Sequence, residues 1–108
     1  MNRTDLERLA GYGIAAFPPT RLDDAAQYCW DRGVATGDAR HCLLWRSLGL
    51  MAQSFEERDC LPVAVVDKLD EALRRHLLGV LNASTAEEGS GIARILDKEI
   101  HDALGAWV

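Results

Sequence analysis

The chain has 108 residues, 48% of them hydrophobic and 27% charged, which is one domain's worth of ordinary globular composition, taken as a single domain over 1–108. A formal charge of −5 argues against a nucleic-acid partner, because phosphate-backbone binding needs clustered Lys and Arg. No apolar run approaches the roughly 20 residues that span a bilayer, so no membrane partner is expected, and no basic start followed by an apolar stretch suggests a signal peptide.

The first element begins at "TDLE", Thr4 to Glu7, which reads as a capping box opening a short helix, and "GYG" at Gly11 to Gly13 ends it. "IAAFPP" follows as a loop whose prolines forbid continuation. "TRLD", Thr20 to Asp23, opens a second helix, which Gly33 is expected to close. Its inward face, Leu22, Ala25, Ala26, Cys29, Trp30 and Gly33, is mostly small and allows close approach. Its outer face is acidic through Asp23, Asp24 and Asp31.

The third helix starts behind Asp38 as N-cap and runs over 39–57. At about 100° per residue, Leu44, Trp45, Leu48, Met51, Ala52 and Phe55 share one wide arc, with His41 within it. Leu43 and Leu50 form a thin second apolar seam, flanked by Ser47 and Ser54. A helix with two apolar faces touches two sets of neighbours, so this one is expected to be central, with Trp45 in the core.

Pro62 stands at the first turn of a fourth helix, where its missing N–H costs nothing. That helix presents Val63, Val66, Leu69, Leu73, Leu77, Val80 and Leu81 inward, and leaves Leu78 on its charged side. Asp70 falls within the apolar arc, four residues before Arg74, and reads as a boundary carboxylate paired to it. "NAST" interrupts, "EEGSG" (Glu87 to Gly91) reads as a flexible lead-in, and a fifth helix carries Ile92, Leu96, Ile100, Ala103, Leu104 and Trp107. No strand-like alternation and no repeat appears. The fold class is all-α: a small helical bundle of four main helices plus a short N-terminal helix.

Chemistry is sparse. Neither a zinc-ligand pattern nor a phosphate loop is present, so no metal or cofactor is expected. His41 and His76 read as histidines at the margin of the core, and His101 with Asp97 supplies two ligand types where a metal site needs three or four. Cys60, in the turn before the fourth helix, is the thiol best placed to react, though Glu56, Glu57 and Asp59 oppose its ionisation. Three cysteines at irregular spacing suit reduced thiols in a cytoplasm, and ten arginines against two lysines suit a bacterial origin.

These features point to a non-enzymatic helical interaction module, an adaptor, regulator or neutralising partner of another protein. Leu43, Leu50, Leu78 and Trp107 are the apolar groups left over after the main faces are matched, so they mark an interface that a homodimer would use. The alternative is a small-molecule binding domain with an interhelical pocket lined by Tyr28, Trp30, His41 and Trp45.

Overall fold

In the computed structural model, residues 1–14, 17, 21–57 and 61–105 are described. Five helices account for most of them: α1 (Arg3–Tyr12), α2 (Leu22–Thr36), α3 (Ala39–Glu57), α4 (Val63–Asn82) and α5 (Ala86–Gly105). The protein is all-α, and no strand occurs among the described residues.

Three helix ends differ from expectation, each for a local reason. α1 begins ahead of the "TDLE" box because Asn2 caps it. Asn2 Oδ1 accepts from the Asp5 N–H at 3.1 Å, and Asp5 Oδ2 accepts from the Asn2 N–H at 3.0 Å. Gly33 does not close α2, which continues to Thr36 and ends on Gly37 in the left-handed conformation (φ 70°). Gly33 is instead buried at the α2–α3 crossing, where a Cβ would lie 3.3 Å from Cys42 Sγ. Gly89 to Gly91 likewise sit inside α5 rather than ahead of it. Thr85 supplies the cap, its Oγ1 accepting from the Glu88 N–H at 3.1 Å.

Packing runs α2–α3–α5–α4–α1, each helix lying against the next in that order. Paired residues set the directions. Trp30 meets Trp45 while Gly33 meets Cys42, so α2 and α3 are antiparallel. Arg75 meets Glu99 while Gly79 approaches Ile92, so α4 and α5 are antiparallel too. Ser47 meets Asp97 while Arg40 meets Gly89, which makes α3 and α5 parallel. Leu22, Leu44, Leu48, Leu69, Leu73 and Leu96 are each fully buried in the shared core.

α3 is turned relative to the expected arc. Its buried residues are Arg40, Leu44, Ser47, Leu48, Met51 and Ala52, a set displaced toward the Leu43–Leu50 seam. The cause is α5. Ser47 Oγ is completely buried, bonded at 2.8 Å to Asp97 Oδ1 and at 3.0 Å to the Leu43 carbonyl, which draws that side of α3 inward. Leu43 and Leu50 therefore pack, partly buried, against the chain's own core. Trp45, at the opposite edge, is 42% exposed rather than a core residue.

Asp70 is buried as the pattern suggested, but its carboxylate is not matched to Arg74. Asp70 Oδ1 accepts from the Ile14 N–H at 2.8 Å, whereas Arg74 Nε reaches only the Asp70 carbonyl, at 3.4 Å. The carboxylate also fills the space beside Gly13 (φ 73°), where a Cβ would lie 2.7 Å from it. A left-handed glycine and a buried acid together fix how the chain leaves α1.

Candidate functional sites: an aromatic pair and an arginine-lined cavity

The four residues expected to line one pocket divide between two places. Trp30 on α2 and Trp45 on α3 meet at the surface, ring centroids 4.7 Å apart and planes tilted by 55°. Tilted packing at this distance suits the ring quadrupoles and contributes to holding the two helices in register. Yet the rings remain 41% and 42% exposed, so much of their area is left to water. Val34, one turn after Trp30, is 71% exposed, and Cys42, one turn before Trp45, is exposed as well. Two adjacent helices thus present one apolar strip.

Tyr28 and His41 line a separate cavity of about 320 Å³. Arg3 of α1, Arg32 of α2 and Arg40 of α3 share its wall with Asp38. Arg40 is the best-held of these, only 8% exposed. Its Nε donates to Asp38 Oδ2 at 2.8 Å, and its Nη1 donates to the Val80 and Ala83 carbonyls at 3.0 and 2.9 Å. Those two carbonyls lie at the C-terminal end of α4, where a cation is favoured by the helix dipole. Arg40 therefore joins the start of α3 to the end of α4. The sequence around Arg40 gave no signal for this, since the partner carbonyls are some forty residues away.

His41 is half-buried on this wall, and its Nδ1 has no hydrogen-bond partner among the described residues. Burial lowers the imidazole from its ordinary value of 6.5. Asp38 opposes that shift, while Arg40 and Arg32 add to it. His41 is therefore held toward the neutral form.

The other sequence candidates fall elsewhere. Leu78 is exposed on α4, while Cys60 and Trp107 lie outside the described residues. Cys29 is buried, and burial pushes its thiol up to about 12, well away from the reactive range. Asp97 does not stand free beside His101. It is buried against Ser47, with Arg46 Nη2 at 3.7 Å and His101 Nδ1 at 3.5 Å from its oxygens. His101 Nδ1 lies closer to the Asp97 carbonyl, at 2.8 Å. Ser47 donates to the acid and not to the histidine, so this arrangement lacks the nucleophile–base bond that serine catalysis requires. His76 Nε2 lies 2.8 Å from Glu99 Oε2 across the α4–α5 junction. Among the described residues no group of three or more His, Cys, Asp or Glu is arranged to hold a metal ion, and no helix is long and apolar enough to cross a membrane. Compared with protein-family models, curated proteins and solved structures, the chain has no significant match.

Proposed function

We propose that this chain is a non-enzymatic helical interaction module, working as an adaptor, regulator or neutralising partner in a bacterial cytoplasm. Its docking face is the strip where α2 and α3 carry Trp30 and Trp45. The observation behind this reading is the pair itself: two indoles braced against one another at 4.7 Å, yet each about two-fifths exposed. Tryptophan dominates the energetics of protein interfaces because it brings a large apolar area at low cost in rotamer entropy, and bracing lowers that cost further. Asp23, Asp24 and Asp31 lie exposed on the same helix as Trp30, and the chain carries −5 overall. The fitting partner is a protein with an apolar recess bordered by basic residues.

In the absence of that partner the same strip pairs with a second copy, as a homodimer in which each Trp30–Trp45 pair meets its symmetry mate. This moves the self-association interface away from Leu43 and Leu50, which support α3 within the chain, and leaves Leu78 outside it. Reduced thiols at Cys29 and Cys42 fit a cytoplasmic setting.

The test uses Trp30→Ala and Trp45→Ala, alone and together, with circular dichroism to verify the fold. Sedimentation equilibrium should show wild-type mass rising above 11.9 kDa with concentration, and the double variant remaining at the chain mass. A wild-type species at the chain mass throughout rejects the homodimer and reserves the strip for a foreign partner. A partner captured from cells that binds wild type and double variant equally well would place docking elsewhere and overturn the reading.

A further inference from the structure

We propose that the cavity between α1, α2, the start of α3 and the end of α4 is a binding site for a small organic oxyanion, a carboxylate or a phosphate ester. In a chain of net charge −5, this wall carries three guanidinium groups against the single carboxylate of Asp38. Two of the three are already anchored by the fold. Arg40 is held by Asp38 and the α4 carbonyls, and Arg3 donates to Glu7 and to Asn82 Oδ1. Arg32 differs: among the described residues its guanidinium has no hydrogen bond and no ion pair, although it lines the cavity. His41 on α3 shares this wall, but its Nδ1 has no surface open to the cavity.

A planar guanidinium without a carboxylate is matched by an oxyanion, which it takes through two parallel N–H bonds. The Tyr28 hydroxyl, also on the wall, would donate a third. Leu6 and Leu81 supply apolar wall for the remainder of the ligand. A volume of about 320 Å³ is at the small end of ligand sites, which run from about 300 to 1,000 Å³, so the enclosed part of the ligand is metabolite-sized.

The groove between α4 and α5 shows the contrast. It too is lined by charge, but Arg75 there already lies between Glu71 and Glu99. No comparable acid neutralises Arg32. The Trp30–Trp45 strip takes no part in this site, so the two proposals stand or fall separately.

The experiment titrates the full chain with inorganic phosphate and, separately, with succinate, following backbone amide resonances at ionic strength matched with sodium chloride. Saturable shifts confined to the surroundings of Tyr28, Arg32 and His41 are expected for at least one probe, and which probe binds distinguishes phosphate from carboxylate recognition. Arg32→Gln and Tyr28→Phe should each weaken binding by roughly tenfold, the factor for one charge-assisted hydrogen bond. Arg8→Gln, on the exposed side of α1 away from the cavity, should bind as wild type does. Absence of saturable shifts with both probes at millimolar concentration overturns the site. Equal binding by the Arg32, Tyr28 and Arg8 variants does so too.

Discussion

The Arg40 guanidinium occupies the space that a side chain on Gly89 would need. A Cβ placed on Gly89 would lie 2.7 Å from Arg40 Nε and 2.8 Å from its Cζ. One residue of α3 thereby dictates the residue type at the first turn of α5, while its donors hold the end of α4. A glycine inside a helix is ordinarily a weakness of roughly 0.5–1 kcal/mol against alanine. Here it is the condition for three helix ends to converge.

Gly89→Ala should therefore destabilise the protein by about 1–3 kcal/mol, the range for overpacking a filled site, although alanine is the better helix former. Gly91, two residues on, meets nothing within 4 Å, and Gly91→Ala should stabilise by about 0.5–1 kcal/mol. Urea unfolding of both variants measures the difference. If Gly89→Ala stabilises as Gly91→Ala does, the close approach of Arg40 carries no weight.

Asp70 holds the turn after α1 through the Ile14 N–H at 2.8 Å. Asp70→Ala removes that acceptor and leaves a buried N–H unpaired, at a cost of about 1–3 kcal/mol. Asp70→Asn keeps an acceptor oxygen and should lose less. The ordering of the two variants in thermal or urea unfolding checks the assignment, and equal losses would contradict it.

Trp45 lies at the rim of the bundle, which changes what its removal does. A core tryptophan replaced by alanine loses about 3–5 kcal/mol, but at 42% exposure most of that penalty is absent. Trp45→Ala should cost about 1–2 kcal/mol, and a double-mutant cycle with Trp30→Ala should give a coupling of about 0.5–1.5 kcal/mol. Acrylamide should quench both indoles readily. Loss of the full core value, or fluorescence shielded from quencher, would return Trp45 to the interior.

His41 gives a pH dependence of definite sign. Its folded-state pKa is below the ordinary 6.5, so between the two values the unfolded chain binds the proton more readily. The contribution is present above about pH 6.5 and is lost as pH falls through the folded value. The stability difference between wild type and His41→Gln should accordingly shift against wild type as pH is lowered from about 8 to about 5. Parallel stability curves over that range would remove the shift.

Much of the bundle was legible because its signals are local. Asp38 ahead of α3, Pro62 ahead of α4 and the leucine spacing of α4 each act within one or two turns of chain, and each element formed where they indicated. The glycines misled for the opposite reason. Gly33 and Gly89 punctuate nothing, since both are spaces left for a neighbouring helix, Gly33 for Cys42 and Gly89 for Arg40. A sequence shows that a Cβ is missing but not what fills its place.

The candidate sites divide along the same line. Periodicity grouped Tyr28, Trp30, His41 and Trp45 as large groups on facing helices. Only the packing of α5 on the Ser47 side of α3 turned Trp45 out to meet Trp30, and left Tyr28 and His41 facing the arginines. At that contact Ser47 and Asp97, fifty apart in sequence, are joined by a buried hydrogen bond. Helix type, length and an apolar side follow from neighbouring residues, because the chain's own hydrogen bonds and spacing set them. Which part of that side is covered depends on where distant polar groups find partners, and this only the tertiary structure fixed.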